Sequence, residues 1–476
     1  MTFLRPTLLT LACLLASPGF ADDLPSLGDA SSAIVSPQQE YQLGRAWLAY
    51  LRGQVSQLND PQLKDYVETS VYKLVETSQV NDRRLEFILI NSPQLNAFAA
   101  PGGIVGVNGG LFLNAQTEGE YASVLAHELA HLSQRHFARG VEAQQRMQIP
   151  MMAALLGGII AAAGAGDAGI AAIAGTQAAA IQEQRRFSRQ NEQEADRIGI
   201  VNLEKAGYDP RSMPTMFERL MRQYRFDAKP PEVLLTHPVT ESRIADTRNR
   251  AEQAKAGGKE DSLRYQLIRA RVQLQYEDTS GLAAKRFQAQ LDENPKNDVA
   301  RYGLAIAQIK ASQFKQARES LQPLLAKAPN DITYNLAQIQ LDIDNNRLPD
   351  AQQRTDRMLT QYPGNYPLNQ IRVDLLLKQN RTADAEKALD GLLKSRPDDP
   401  DVWYQVAETR GLSGNIIGLH QARAEYFALV GDFQQAIQQL DFAKRRAGSN
   451  FPLSSRIDAR QRELIEQERL VKGMMS

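Results

Sequence analysis

Cysteine is almost absent from this chain of 476 residues, because Cys13 is the only one. It lies in an N-terminal segment whose apolar run, Leu8 to Leu15, is followed by Ala21 and an acidic pair. This layout predicts a secretory signal peptide over residues 1–21, cleaved after Ala21. A lipoprotein signal would need leucine in place of Thr10. The mature chain is therefore expected to contain no cysteine and no disulfide, even in an oxidising compartment.

An excess of either charge is also absent, since 55 basic side chains balance 55 acidic ones. Affinity for nucleic acid depends on basic groups that neutralise phosphates, and no stretch resembles a nucleic-acid-binding module. We therefore expect no nucleic-acid partner. Apolar residues make up 43% of the sequence, which is enough for sizeable cores. A chain of this length is expected to fold into two or more domains.

Histidine is scarce, and two of the five histidines, His127 and His131, flank Glu128 in an H-E-x-x-H motif. Upstream, Thr117 and Glu120 have the spacing of a capping box, which begins a helix. The apolar residues that follow recur at helical spacing, so the motif is predicted to lie on an amphipathic helix. On that helix the two histidines are one turn apart, and both imidazoles can reach one zinc ion.

Glu128 directly follows His127, so its carboxylate is expected to lie beside the metal ligands without joining them. From there it could hold and deprotonate a water molecule at the metal, as in zinc peptidases. Short motifs also recur by chance, and two histidines on a helix can simply be surface residues. The concentration of a scarce residue in one turn favours the zinc site. His136 is expected to point away from the pair and to interact with the helix dipole.

A catalytic zinc also needs a third protein ligand, and the helical segment containing Glu192 offers one. Asp196 lies one turn further on the same face, where it could accept a hydrogen bond from a ligating histidine and fix its tautomer. Taken alone, Glu192 would be better explained as part of a solvated acidic helix face. Glu194 is expected to be such a surface residue.

The second half of the chain repeats every 34 residues. Four alanines and four prolines recur at this interval, at Ala283, Ala317, Ala351 and Ala385 and at Pro295, Pro329, Pro363 and Pro397. They match the tetratricopeptide signature of alanine at a helix crossing and proline after the second helix. The next matching alanine is Ala436, which predicts an additional helix between Asp398 and Ile417. His420 is expected to be structural, and the stacked helices should form a groove for a peptide or partner protein.

The motif at residues 127–131, followed by Glu192-x-x-Ala195-Asp196, resembles the zinc peptidases of the CAAX-prenyl-protease and HtpX type. Because repeats follow the peptidase-like part, the resemblance is closer to the periplasmic beta-barrel assembly-enhancing proteases. It covers essentially the whole mature chain. It implies that Glu192 is the third ligand of one Zn²⁺ per chain and that Asp196 supports the ligands by hydrogen bonding.

Upstream of the zinc motif, two scaffold helices and three strands are predicted. The helices begin at Ser36 and after Asp60-Pro61, and the strands span Leu85–Ile90, Leu95–Ala100 and Gly103–Val107. In the resembled family the second of these strands is an edge strand of the active site. An extended substrate can pair with such an edge without being read for sequence. The resemblance therefore implies that Asn96, Ala97 and Phe98 lie beside the substrate.

A further histidine lies in the loop ending at Thr236-His237-Pro238. In the resembled family a histidine before proline at this place lies near the metal. It can act there as a displaceable extra ligand that keeps the peptidase latent, or it can help to stabilise the oxyanion. A plain loop histidine is the alternative. Arg243, on the following helix, is a candidate for the same neighbourhood, although a surface salt bridge would explain it equally well.

The segment between the two zinc motifs, Ile149 to Gln182, has one charged residue, Asp167. We expect a pair of buried or lid-like helices that cover the zinc cleft. The alternative is a membrane hairpin, but each half is short for a span, and alanine and glycine contribute little apolar area. Peripheral membrane contact is compatible with either arrangement.

The predicted architecture is an α+β, zincin-like metallopeptidase domain, mostly helical with a small sheet, followed by an all-α tetratricopeptide-repeat solenoid. The expected boundaries are 1–21 for the signal peptide, 22–255 for the peptidase and 262–476 for the repeats. Glu128 is the expected general base, which then delivers a proton to the leaving amine.

The resemblance implies a periplasmic endopeptidase with chaperone-like activity in the assembly and quality control of outer-membrane β-barrel proteins. Its implied partners are unfolded or stalled outer-membrane proteins and the β-barrel assembly machinery, contacted through the repeats. The alternative is a chaperone or adaptor that works through its repeats and holds a latent or structural metal site.

Overall fold

A computed structural model describes residues 36–143, 181–224, 234, 236–255 and 257–475. The predicted signal peptide and residues 149–180 of the apolar segment lie outside these ranges. None of the helices in the described ranges is long and apolar enough to cross a bilayer.

The first two helices begin where the sequence supplies a cap. Helix α1 (Pro37–Gln54) starts with a capping box, in which Ser36 accepts from the amide of Gln39 and the Gln39 side chain accepts from the amide of Ser36. Helix α2 (Pro61–Val75) starts after Asp60, whose carboxylate accepts hydrogen bonds from the amides of Gln62 and Leu63. Both have proline at the first helical position, where its missing N–H costs nothing. The two predicted scaffold helices are confirmed.

Three short strands form one mixed sheet in the order β1–β3–β2. Strand β3 (Ile104–Asn108) lies in the middle, with β1 (Glu86–Ile90) parallel on one side and β2 (Ala97–Ala100) antiparallel on the other. The hairpin between β2 and β3 passes through Gly102 and Gly103, both at positive φ, a conformation that glycine adopts without steric cost. The strands match the predicted ones within two residues at each end. In the described sheet β2 is an edge strand, as the resemblance implied.

Helix α4 lies at the centre of the peptidase part. The helices that complete this part in the described residues are α3 (Gly109–Asn114), α4 (Glu118–Ser133), α5 (His136–Ala143), α6 (Ile181–Lys205), α7 (Ser212–Tyr224) and α8 (Glu241–Gln253). Helix α4 begins at Thr117, whose hydroxyl accepts from the amide of Glu120, and packs against α2, α6, α7 and β2. Its buried face carries Tyr121, Leu125 and Leu129, which belong to the largest apolar core. The motif therefore lies on a helix fixed from several sides.

The rest of the described chain is helical. Its helices are α9 (Leu263–Gln275), α10 (Ser280–Glu293), α11 (Asp298–Lys310), α12 (Phe314–Lys327), α13 (Ile332–Asp344), α14 (Leu348–Gln361), α15 (Tyr366–Lys378), α16 (Thr382–Ser395), α17 (Pro400–Leu412), α18 (Ile416–Leu429), α19 (Phe433–Ala447) and α20 (Phe451–Met475). Helix α17 is the additional helix predicted between Asp398 and Ile417. Helices α17 and α18 begin 34 residues after α15 and α16, so the helices keep the period here although the alanine does not.

Two structural features follow the 34-residue period besides the four alanines, which are fully buried. The turns inside the repeats contain residues at positive φ, namely Ser312, Asn346, Asn380 and Gly414. A side chain six residues after each repeat proline also donates to that proline's carbonyl, over 2.6–2.9 Å, from Arg301, Asn335, Asn369 and Trp403. Each repeat thus secures the turn that precedes its own first helix.

The peptidase part and the repeat part contact each other over a broad surface. Helix α9 has one face in each core, since Tyr265 and Ile268 pack with the peptidase core and Leu267 and Leu274 with the first repeats. Further along, Arg396 forms a bidentate ion pair with Glu68 of α2, and Lys64 lies 2.7 Å from Asp399. Helix α1 also contacts α18 and α20 near the end of the array. The array therefore packs against the peptidase part at both ends and at its middle.

Candidate metal centre

Helices α4 and α6 bring three of the predicted ligands together. The Nε2 atoms of His127 and His131 are 3.0 Å apart. Glu192, on α6, places one carboxylate oxygen 3.4 Å from Nε2 of His127 and the other 3.3 Å from Nε2 of His131. The helices approach closely because Gly199 faces α4, where a Cβ would lie 3.2 Å from the amide nitrogen of His127.

His237 completes this group. Its Nδ1 lies 2.8 Å from Glu192 and 3.5 Å from Nε2 of His127, and the four donor atoms all lie within 4.8 Å of one another. Ligands about 2.0–2.2 Å from a zinc ion at tetrahedral angles are roughly 3.3 Å apart. The closest donor separations, 2.8–3.5 Å, bracket this value. The side chains therefore fit one tetrahedrally coordinated metal ion.

Asp196 and Arg243 surround the ligands with buried ion pairs. Nδ1 of His127 lies 2.9 Å from Asp196. Arg243 donates to both carboxylate oxygens of Asp196 at 2.7 Å, donates to the carbonyl of Pro238 at 2.9 Å, and lies 2.9 Å from Glu192. Only 4% of Arg243 is exposed, so the surface salt bridge considered from the sequence was wrong. One guanidinium connects α6 with the loop that carries His237.

The charges in this centre shift the pKa values of the two motif histidines in opposite directions. Burial disfavours the charged form of His127, yet Asp196 and Glu192 raise its pKa to about 10. Burial lowers the pKa of His131 to about 3, and the neighbouring imidazoles add to that effect. Burial also opposes ionisation of Glu192, but His237 and the two motif histidines hold its pKa well below the usual value. The carboxylate of Glu192 therefore stays ionised against the imidazole nitrogens, where its charge can bind a cation.

Glu128 lies between the ligand group and the edge of the sheet. It is 2% exposed, and one carboxylate oxygen accepts a hydrogen bond of 3.2 Å from the amide of Ala99 on β2. The other oxygen is 3.7 Å from Nε2 of His237 and accepts no hydrogen bond from any described residue. This oxygen is free to take a proton from a molecule bound beside the ligands.

A cavity of about 210 Å³ separates β2 from the end of α4 and the start of α5. Glu128, His131 and His237 line it, together with the backbone of β2. The residues implied for this strand, Asn96, Ala97 and Phe98, also line the cavity. The ring of Phe98 packs against Trp47, however, and Ala97 is buried, so it is the backbone of this strand that faces the site.

Comparisons with known proteins identify the two parts of the chain. The sequence model of peptidase family M48 matches residues 61–251, and that of the tetratricopeptide repeat matches 281–339 and 342–408. The beta-barrel assembly-enhancing protease of Escherichia coli (strain K12) is 36% identical over 462 residues, which cover 95% of this chain and 94% of that protein. The chain belongs to the beta-barrel assembly-enhancing protease family.

Two further relatives match different lengths of the chain. The beta-barrel assembly-enhancing protease of Yersinia pestis is 35% identical over 445 residues, covering 92% of this chain and 91% of that protein. The mitochondrial metalloendopeptidase OMA1 of Arabidopsis thaliana is 31% identical over 147 residues, covering 30% of this chain and 27% of that protein. The predicted metallopeptidase, with its α+β domain and all-α repeats, is confirmed.

In this metallopeptidase the prediction for His136 was wrong. Helix α4 ends at Ser133, and α5 begins at His136 after a turn through Arg135, whose φ is +50°. The turn brings His136 back towards the motif, with its Nδ1 2.8 Å from Nδ1 of His131. Burial lowers the pKa of His136 and so favours the neutral imidazole. Glu194, expected at the surface, is 36% exposed and also contacts His136.

Proposed function

We propose that this chain is a zinc endopeptidase that cleaves outer-membrane β-barrel proteins whose assembly has stalled. The proposal depends chiefly on the arrangement of His127, His131 and Glu192, whose donor atoms approach to 3.0–3.4 Å beside the buried carboxylate of Glu128. The substrate class is taken from the name of the relatives, which links them to β-barrel assembly.

In this proposal the metal ligands are His127 and His131 through Nε2 and Glu192 through its carboxylate. When bound, zinc would polarise the scissile carbonyl and make water more acidic. Asp196 lies 2.9 Å from Nδ1 of His127 and would accept its proton once the metal is bound, which leaves Nε2 of that ring for the metal. Arg243 holds Asp196 in place through two hydrogen bonds.

Glu128 is the proposed general base. Its free oxygen takes a proton from the attacking water and later delivers it to the leaving amine. Its other oxygen accepts from the amide of Ala99, so the base is fixed against the strand edge where the substrate would lie. Because β3 is the one described neighbour of β2, an extended peptide can pair with the opposite edge of β2.

We further propose that His237 is a displaceable fourth ligand. Its Nδ1 lies among the donors, in the position that an open catalytic site would leave for water. A substrate that moves the loop after Thr236 would open that position. The same observation favours the second candidate, a chaperone or adaptor that works through its repeats while the metal site stays latent.

The remaining assignments extend the family membership to the whole chain. We propose export to the periplasm with residues 1–21 as signal peptide, a peptidase domain at 22–255 and a repeat domain at 262–476. The repeats would contact the β-barrel assembly machinery and its unfolded substrates, because stacked helix pairs offer a groove for such partners.

Replacing the proposed base tests the mechanism. We expect Glu128→Gln to keep one zinc per chain while casein cleavage falls by about 10²–10⁴-fold, the range typical of a lost general base. Glu252→Gln, the same change of charge on an exposed position of α8, should cleave casein at the wild-type rate. Cleavage at the wild-type rate by Glu128→Gln would contradict the assignment. Rescue of outer-membrane assembly in cells by this variant would favour the second candidate.

A further inference from the structure

The turn between α4 and α5 places the imidazole of His136 against that of His131. Arg135 occupies the left-handed region at φ +50°, which is costly for a residue with a Cβ and persists where the surroundings hold it. Here Nε and Nη2 of Arg135 each lie 3.2 Å from a carboxylate oxygen of Glu40 on α1. As a result, the ring of His136 meets that of His131 edge to face, with centroids 4.8 Å apart.

The two rings approach each other through the same atom of each imidazole, Nδ1. Nδ1 of His131 and Nδ1 of His136 are 2.8 Å apart, a hydrogen-bonding distance at which one nitrogen must donate and the other accept. On its far side, His136 directs Nε2 at Glu194 over 3.2 Å. Arg139 donates to the same oxygen of Glu194 over 2.9 Å. His136 is buried, with 7% of its surface exposed, whereas the side chains of Arg139 and Glu194 are 35% and 36% exposed.

Metal coordination would decide the direction of every hydrogen bond in the chain. A neutral imidazole that binds a metal through Nε2 carries its proton on Nδ1. His131 would then donate from Nδ1, and Nδ1 of His136 must accept. His136 in turn carries its proton on Nε2 and donates to the carboxylate of Glu194. All three groups take a single, mutually consistent set of proton positions.

We propose that His136 is a positioning residue that orients His131 as a metal ligand, and that Glu194 fixes the tautomer of His136. This inference rests on the proposed role of His131 in zinc binding. The two motif histidines then have comparable partners: the carboxylate of Asp196 lies 2.9 Å from Nδ1 of His127, whereas Glu194 acts on His131 through an intervening imidazole. Such outer partners fix ring orientation and raise the basicity of the ligand.

The tautomers can be measured without any substitution. The full chain has five histidines, few enough for each ring to be assigned by two-bond ¹H–¹⁵N correlation after ¹⁵N-histidine labelling. In the zinc-loaded protein we expect His131 to be protonated at Nδ1 and His136 at Nε2. A proton on Nδ1 of His136 would overturn the inference alone. Failure of the wild-type chain to bind zinc would overturn the proposed function as well.

A pair of substitutions separates positioning from packing. In His136→Asn, the side-chain oxygen can occupy the place of Nδ1 and still accept from His131, whereas His136→Leu offers no acceptor. We expect the zinc dissociation constant, measured by competition with a chromogenic chelator, to rise about 10–100-fold in His136→Leu. His136→Asn should stay much closer to the wild type.

The control for these variants is His420→Leu, the same change on a repeat helix. His420 contacts Gln439 over 2.7 Å, and its loss should leave the dissociation constant unchanged. A His136→Leu protein that binds zinc as tightly as the wild type would contradict the inference. So would a His136→Asn protein as weak as His136→Leu, because packing rather than the hydrogen bond would then be responsible.

Discussion

The repeat array and the metal centre are held by hydrogen bonds and ion pairs that differ in sequence range. In the array the bonds to the proline carbonyls join residues six positions apart, and the same bond recurs every 34 residues. In the metal centre the contacts join residues far apart in sequence, 45 positions for His237 and Glu192 and 110 for His237 and His127. The array repeats one local solution, whereas the centre depends on distant contacts that occur once.

This difference determines how each part responds to damage. A lost bond in the array weakens one repeat and its neighbours, because the stability of stacked repeats is close to a sum of local terms. A lost ligand in the centre leaves buried charges without partners, which is strongly destabilising. Substitutions should therefore have small, local effects on stability in the array and large effects on metal binding in the centre.

Removing the third ligand should have the largest effect. In Glu192→Gln the charge that faces His127, His131 and Arg243 is lost, so zinc affinity should fall by more than about 100-fold, the upper range for partners outside the ligand set. Chelator competition measures this change. The control is Glu319→Gln, at an exposed position of α12, which should bind zinc normally. A Glu192→Gln protein that binds zinc with wild-type affinity would contradict the expectation that substitutions in the centre have larger effects than those in the array.

The opposite pKa shifts of the two motif histidines predict a pH dependence. Without metal, the raised pKa of His127 keeps that ring protonated at neutral pH, where His131 is already neutral. This raised pKa stabilises the metal-free fold below about pH 6.5, and the stabilisation is lost as the pH rises through about 10.

Zinc must displace the His127 proton in order to bind. Loading at pH 7 should therefore release at least about one proton, because the pKa of His237 is raised as well. Zinc affinity should rise with pH by about tenfold per unit or more over the range in which His127 is protonated. Isothermal titration calorimetry in two buffers of different ionisation enthalpy counts the protons. Equal heats in both buffers would show that His127 was already neutral and would contradict the opposite shifts.

The smallest effects are expected in the array, and they should differ between repeats. Asn335→Ala and Asn369→Ala each remove one bond to a proline carbonyl, worth about 1 kcal/mol of unfolding free energy. Asn335 also accepts from Arg354 and Arg357, so its loss should cost more. Urea denaturation measures both, and zinc affinity should be unchanged. Equal losses would mean that the two arginine contacts contribute nothing measurable.

The sequence was informative where a local signal sets the structure. Capping residues at Ser36, Asp60 and Thr117 predicted three helix starts, and the 34-residue period of alanine and proline predicted the repeats. The donors to the proline carbonyls follow the same period, but their residue type changes from arginine through asparagine to tryptophan. Their shared role was therefore visible only in the structure.

The site was less predictable where its contacts depend on the backbone or on distant elements. His136 was misplaced because helical periodicity was extended through Arg135, a non-glycine residue that gives no signal of a left-handed turn. The contact of Glu128 with Ala99 uses a backbone amide, so no residue type in the sequence indicates it. Arg243 was ambiguous because its burial depends on how α6 and α8 pack.

The most direct test of the account is anomalous diffraction at the zinc edge from crystals of the metal-loaded chain. We predict one strong peak, within about 2.0–2.2 Å of Nε2 of His127, Nε2 of His131 and a carboxylate oxygen of Glu192. A peak that lies outside bonding distance of Glu192, or at a place away from these helices, would contradict the claim that one metal is held by ligands from α4 and α6.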